Sequence, residues 1–94
     1  MANYMARVEL HQAVAEDYEK LDTAMRMRGY VRAMAGEDGV NYQLPSGTYY
    51  VPESSAMLEV ALRAAVDAAN ETGKQAAVIV TDWRAARWSG LAKV

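Results

Sequence analysis

The chain has no cysteine in its 94 residues. That excludes disulfides, thiolate zinc clusters and thiol catalysis, and it fits a reducing, cytoplasmic setting. Histidine occurs once, as His11, so a mechanism built on two histidines is excluded. A basic excess is also missing: 10 basic residues face 12 acidic ones, for a net charge of −2. Indiscriminate coating of nucleic acid draws its affinity from phosphate neutralisation, so any contact with nucleic acid here has to be local and salt-sensitive. No apolar run approaches the roughly 20 residues that cross a bilayer. The opening "MANYMARVEL" lacks a basic segment followed by a long apolar stretch, so neither a membrane span nor a secretory signal is expected. The G-x-G-x-x-G and P-loop patterns are absent, which removes those nucleotide cradles, and no cofactor is implied.

What remains is an ordinary globular composition, 52% hydrophobic and 23% charged, sufficient for one core and one domain over residues 1–94. From Tyr4 to His11 apolar and polar residues alternate: Tyr4, Ala6, Val8 and Leu10 against Met5, Arg7, Glu9 and His11. This is a strand with one buried face. "AVAEDYEKLDTAMRMRG" then repeats at helical spacing through Tyr18, Leu21, Met25 and Arg28. Glu16 and Asp17 stand in its first turn, Arg26 and Arg28 in its last, and Gly29 is the stop.

"YVRAMA" and "VNYQL" are strands joined by the turn "GEDG", and Pro45 and Gly47 interrupt the ladder before "TYYV". "PESSAMLEVALRAAVDAANETG" is the clearest helix. Ser54 or Ser55 is placed to cap it, Leu58, Leu62, Ala65 and Ala69 form its apolar stripe, and Gly73 ends it. "QAAVIVTD" is a nearly continuous β-branched run and is expected to be a central strand. "RWSGLAKV" is expected to add a last strand. The order β-α-β-β-α-β with an extra C-terminal strand is the split βαβ pattern of a ferredoxin-like α+β fold. It implies an antiparallel sheet with two helices on one face and the other face open.

The open face would carry Arg7, Glu9 and His11. His11, with an unperturbed pKa near ~6.5, suits proton transfer at neutral pH; the plainer alternative is a solvated histidine at a strand end. Glu9 and His11 supply only two ligands, so no metal is expected. "DWRAARW" places Arg84 and Arg87 between Trp83 and Trp88. Rings stack on unpaired bases and arginines hold phosphate, which is the chemistry of single-stranded RNA binding. The alternative is a hairpin whose two tryptophans meet across strands. Arg26 and Arg28 complement a helix dipole in any case. Tyr42, Tyr49 and Tyr50 suit an edge-strand contact in a homodimer.

The words "RVELH", "AEDYEKL", "GY", "DG", "YQLP", "VTD", "RW" and the final "KV", spanning Tyr4 to Val94, resemble the GhoS-like endoribonuclease antitoxins of type V toxin–antitoxin systems. The resemblance implies a ferredoxin-like domain akin to a CRISPR-associated nuclease fold, acting on the single-stranded messenger RNA of a small membrane-acting toxin. Where such nucleases place an acidic residue at the end of the first strand, this chain has His11, with Glu9 two positions earlier. Mid-helix, where the antitoxin is associated with an arginine, stand Lys20 and Asp22; Arg26 and Arg28 follow a turn later. On this reading cleavage is metal-independent, with His11 moving a proton and Arg28 or Arg26 stabilising charge. Arg7, Trp83, Arg84, Arg87 and Trp88 would then bind RNA. The competing reading is a non-enzymatic homodimeric interaction or regulatory domain on the same scaffold.

Overall fold

A computed structural model describes residues Met1–Val94. The elements are β1 (Ala2–Leu10), α1 (Ala15–Arg26), β2 (Ala33–Ala35), β3 (Asn41–Gln43), β4 (Thr48–Ser54), α2 (Leu58–Asn70) and β5 (Ala76–Trp83). The main sheet runs β4-β1-β5, antiparallel throughout, and β2 and β3 form a separate hairpin. Val31, just before β2, forms a bridge to Tyr50 and so attaches the hairpin to the free edge of β4. The chain segment after α1 therefore flanks β4 and not β1, as a split βαβ arrangement requires. No helix is long and apolar enough to cross a membrane.

Tyr4, Ala6, Val8 and Leu10 of β1 are buried against the helices, together with Leu21, Ala24 and Met25 of α1 and Tyr30 and Tyr49. The alternation read from the sequence is thus the alternation of burial. α1 starts without a side-chain cap on Val14. Instead the Asp17 carboxylate accepts the Val14 N–H at 2.9 Å, which satisfies one of the donors that a helix start leaves free. Gly29, at φ +89°, turns the chain out of the helix in a conformation that L side chains rarely adopt. Gly47 is required more strictly still: at φ +79°, a Cβ there would lie 2.4 Å from the Val8 carbonyl oxygen.

Four sequence expectations are corrected. β5 is an edge strand and β1 is the central one. A β-branched run fits a fully buried strand, but it equally fits a strand whose second apolar face is left open, and Ile79 is 60% exposed. α2 begins at Leu58, and neither serine caps it; the Ser54 hydroxyl accepts the Ala56 N–H at 3.1 Å and turns the chain before the helix. Its core face is Ala61, Ala65, Ala68 and Ala69, whereas Leu58 and Leu62 stay outside the buried core, about two-fifths exposed. The bulky partners Tyr30, Tyr49 and Met25 already fill the layer, so only alanine lets the helix approach. Finally, the C-terminal segment forms no regular strand. Its contact is a single bridge, Tyr42 with Lys93, reinforced by backbone bonds from Gln43 to Ala92 and from Val94 to Asn41. It extends the small hairpin and not the main sheet.

Candidate nucleic-acid interface

The face of the sheet away from the helices is built by register. Met5 stands between Tyr50 and Thr81, Arg7 between Thr48 and Ile79, and Asn3 opposite Trp83. Directly paired residues of antiparallel strands point to the same side. Tyr50 and Trp83, from the two outer strands, therefore meet across β1, with ring centroids 5.5 Å apart and planes tilted by 57°. Arg7 is exposed beside them.

Beyond Trp83 the chain leaves the sheet and closes a cleft of about 610 Å³ against the β2–β3 hairpin. Trp83, Arg84, Arg87 and Trp88 line one side, and Glu37, Asp38 and Tyr42 lie on the other. Trp88 packs on Tyr42, again with centroids at 5.5 Å and a 57° tilt. The two tryptophans thus do not pair with each other. Each takes a tyrosine partner, because β5 ends at Trp83 and the intervening residues form a loop, not a returning strand. The indole N–H of Trp83 is buried without an acceptor.

The charges in the cleft balance. Arg84 makes no ion pair, and Arg87 meets the Glu37 carboxylate at 3.1 Å with both side chains more than three-quarters exposed. Asp38 is differently placed. Its two oxygens accept the Val40 N–H at 2.9 Å and the Tyr42 hydroxyl at 2.7 Å. These donors, the backbone one first, hold its carboxyl below the ordinary range, and the same bond raises the Tyr42 phenol.

The residues assigned to cleavage lie elsewhere. His11 follows the end of β1; its backbone N–H donates to the Gln75 carbonyl at 2.8 Å, and its ring stands 3.8 Å from the Glu9 carboxylate. Trp83 pairs with Asn3 at the other end of β1, about 26 Å away at the rise of a strand. Arg26 ends α1 and Arg28 lies two residues beyond it, so the 12 residues of the helix set their backbones about 18 Å from the helix start that follows His11. Arg26 is exposed. Arg28 donates to the Ala24 carbonyl at 2.9 Å and to the Glu71 carboxylate, tying the end of α1 to the end of α2. Thus the structure brings together Trp83, Arg84, Arg87 and Trp88, sets Arg7 on the adjoining sheet face, and does not join His11 to Arg26 or Arg28. No three acidic, histidine or cysteine side chains converge as a metal site would require.

Tyr50 and Tyr42 are the ring partners that "DWRAARW" did not announce. The signal for Tyr50 was its place beside Tyr49 on a strand, which sends one ring inward and the other out. Tyr42 and Glu37 had no local signal, since the fold of the last 11 residues over the hairpin brings them to the cleft. No protein-family model and no curated protein matches the chain.

Proposed function

We propose that this domain captures single-stranded RNA along a strip running from Arg7 and the Tyr50–Trp83 pair into the cleft of Arg84, Arg87 and Trp88. That is the substrate class expected of an antitoxin-type endoribonuclease acting on a toxin's message. One observation carries the reading: two aromatic pairs bracket a cleft bearing two exposed arginines. Aromatic faces accept unstacked bases and arginines take the intervening phosphates. Cleavage by His11 with Arg26 or Arg28 would need Arg26 brought from the far end of α1 or Arg28 freed from Glu71, so capture is the function that the geometry supports best. The net charge of −2 makes that capture weak and strongly salt-dependent.

A second reading, a homodimer over the same face, is favoured by the exposure of Ile79 beside Arg7. Fluorescence anisotropy with a labelled U/A-rich single-stranded RNA at low salt, run beside light scattering, separates the two. Binding by a monomer that falls at least about tenfold in Trp83→Ala and Arg84→Ala, and is unchanged in His11→Ala, is the expected result. A stable dimer that binds no RNA would move the assignment to the interaction domain. RNA cleavage lost in His11→Ala or Arg28→Ala would restore the nuclease reading.

A further inference from the structure

The cleft is not a simple anion site. Its two arginines are matched by two carboxylates, and a pure phosphate ligand would gain nothing from Glu37 or Asp38. The two carboxylates are not equivalent. Both Asp38 oxygens are committed, one to the Val40 N–H and one to the Tyr42 hydroxyl. Glu37 has a single partner, Arg87, through an ion pair 78% and 85% exposed. A pair so open to water is screened and readily exchanged. If Arg87 turns to a phosphate, Glu37 is left with two free acceptor oxygens beside the Tyr42–Trp88 rings.

We propose that the cleft selects guanine among the bases of a bound RNA, with the Glu37 carboxylate accepting the guanine N1–H and N2–H and Arg87 transferring from Glu37 to the adjoining phosphate. This rests on the RNA-capture reading and adds a base preference to it. The choice of base follows from donor patterns. A carboxylate offers two acceptor oxygens side by side. Guanine is the nucleobase whose Watson–Crick edge offers two adjacent N–H donors. Adenine and cytosine pair one amino donor with a ring nitrogen acceptor, which the second carboxylate oxygen would repel. Uracil sets its single N–H between two carbonyl oxygens. A volume of about 610 Å³ is in the range that holds a nucleotide-sized ligand. The ion pair then works as a latch: in the free protein Glu37 and Arg87 neutralise each other, and a guanine nucleotide, carrying both a double donor and an anion, satisfies both at once.

The test uses the full chain and three labelled eight-nucleotide RNAs, identical and U-rich except for one central G, A or U. The wild type should bind the G-containing RNA at least about tenfold tighter than the other two, the discrimination that a good bidentate contact supplies. Glu37→Gln should abolish that preference and leave binding of the all-U RNA equal or stronger, because Arg87 is released. A merely structural Glu37 would lower all three affinities together. Glu37 is exposed, and an unchanged circular dichroism spectrum checks that the variant is folded. Equal affinity of the wild type for all three RNAs overturns the guanine assignment and leaves RNA capture standing. A preference for G that survives in Glu37→Gln also overturns it. No binding of any RNA overturns both.

Discussion

On β4, Tyr49 turns toward the helices and is wholly buried, while Tyr50, the next residue, turns to the open face and stays partly exposed. The buried ring is held by its hydroxyl, which donates to Asp22, itself 3.4 Å from Arg32. The exposed ring is held by its tilted contact with Trp83. The same contrast runs across the sheet. On the covered side the hydroxyls of Tyr4 and Tyr30 donate to the Ala56 and Ala61 carbonyls, at 2.7 and 2.9 Å, so each ring's polar end pins a neighbouring segment. On the open side the rings leave flat apolar surface in water, beside Arg7 and Ile79. One face therefore spends its aromatics on stability and the other keeps them available.

The sharpest way to break this comparison is to remove the two neighbouring rings one at a time. Tyr49→Ala should cost about 3–5 kcal/mol, the range for deleting a buried aromatic. Tyr50→Ala should cost less, because the ring is only partly buried and its pairing with Trp83 adds about 0.5–1.5 kcal/mol to that smaller burial. Urea denaturation of the two variants measures both. Equal losses would mean that the open face is as structural as the covered one.

Alkaline pH probes the covered side most strongly, although burial also raises the Tyr50 phenol and the bond to Asp38 raises that of Tyr42. Burial, with Tyr4 adding to it, pushes the Tyr30 phenol up to about 12, and burial followed by the bond to Asp22 raises Tyr49 as well. A raised phenol pKa means that the folded state favours the neutral ring. The associated stability is fully present below the unfolded value near ~10 and is lost as pH rises from there through the folded value. Tyr30 alone should account for about 2–3 kcal/mol between pH ~10 and ~12. Denaturation midpoints taken across that window should fall steeply, and Tyr30→Phe should flatten part of the decline. A flat wild-type profile would contradict the burial of these phenols.

The smallest effect sharpens the open side. A double-mutant cycle on Tyr50 and Trp83 should give a coupling of about 0.5–1.5 kcal/mol. Zero coupling would mean that the rings are near each other without forming a platform.

Much of the covered side was legible in advance, because burial imprints a period on the sequence. The alternation Tyr4, Ala6, Val8, Leu10 and the helical spacing of Leu21 and Met25 are such imprints, and both became core. The reading failed where size decided. Leu58 and Leu62 are the more apolar residues of α2, yet alanines took its core face, since the space was already filled from the other side. Half of the cleft was legible as well: "DWRAARW" marked the tryptophans and arginines. Their partners were not, because Tyr42 and Glu37 lie some 45–50 positions away and meet them only when the chain end folds over the hairpin.

By itself the sequence determined the order of elements, the inward face of β1, the glycine stops and the clustering of two tryptophans with two arginines. These are local matters, fixed by backbone preference and by the periods of strand and helix. Tertiary structure alone decided that β5 is an edge strand with Ile79 exposed, that Tyr50 reaches Trp83 across β1, and that Arg28 is occupied by Glu71. The physical reason is that pairing and packing compare residues far apart in the chain. Which strand is covered, which ring finds a partner and which charge is already neutralised depend on what arrives from elsewhere, and no local pattern carries that information.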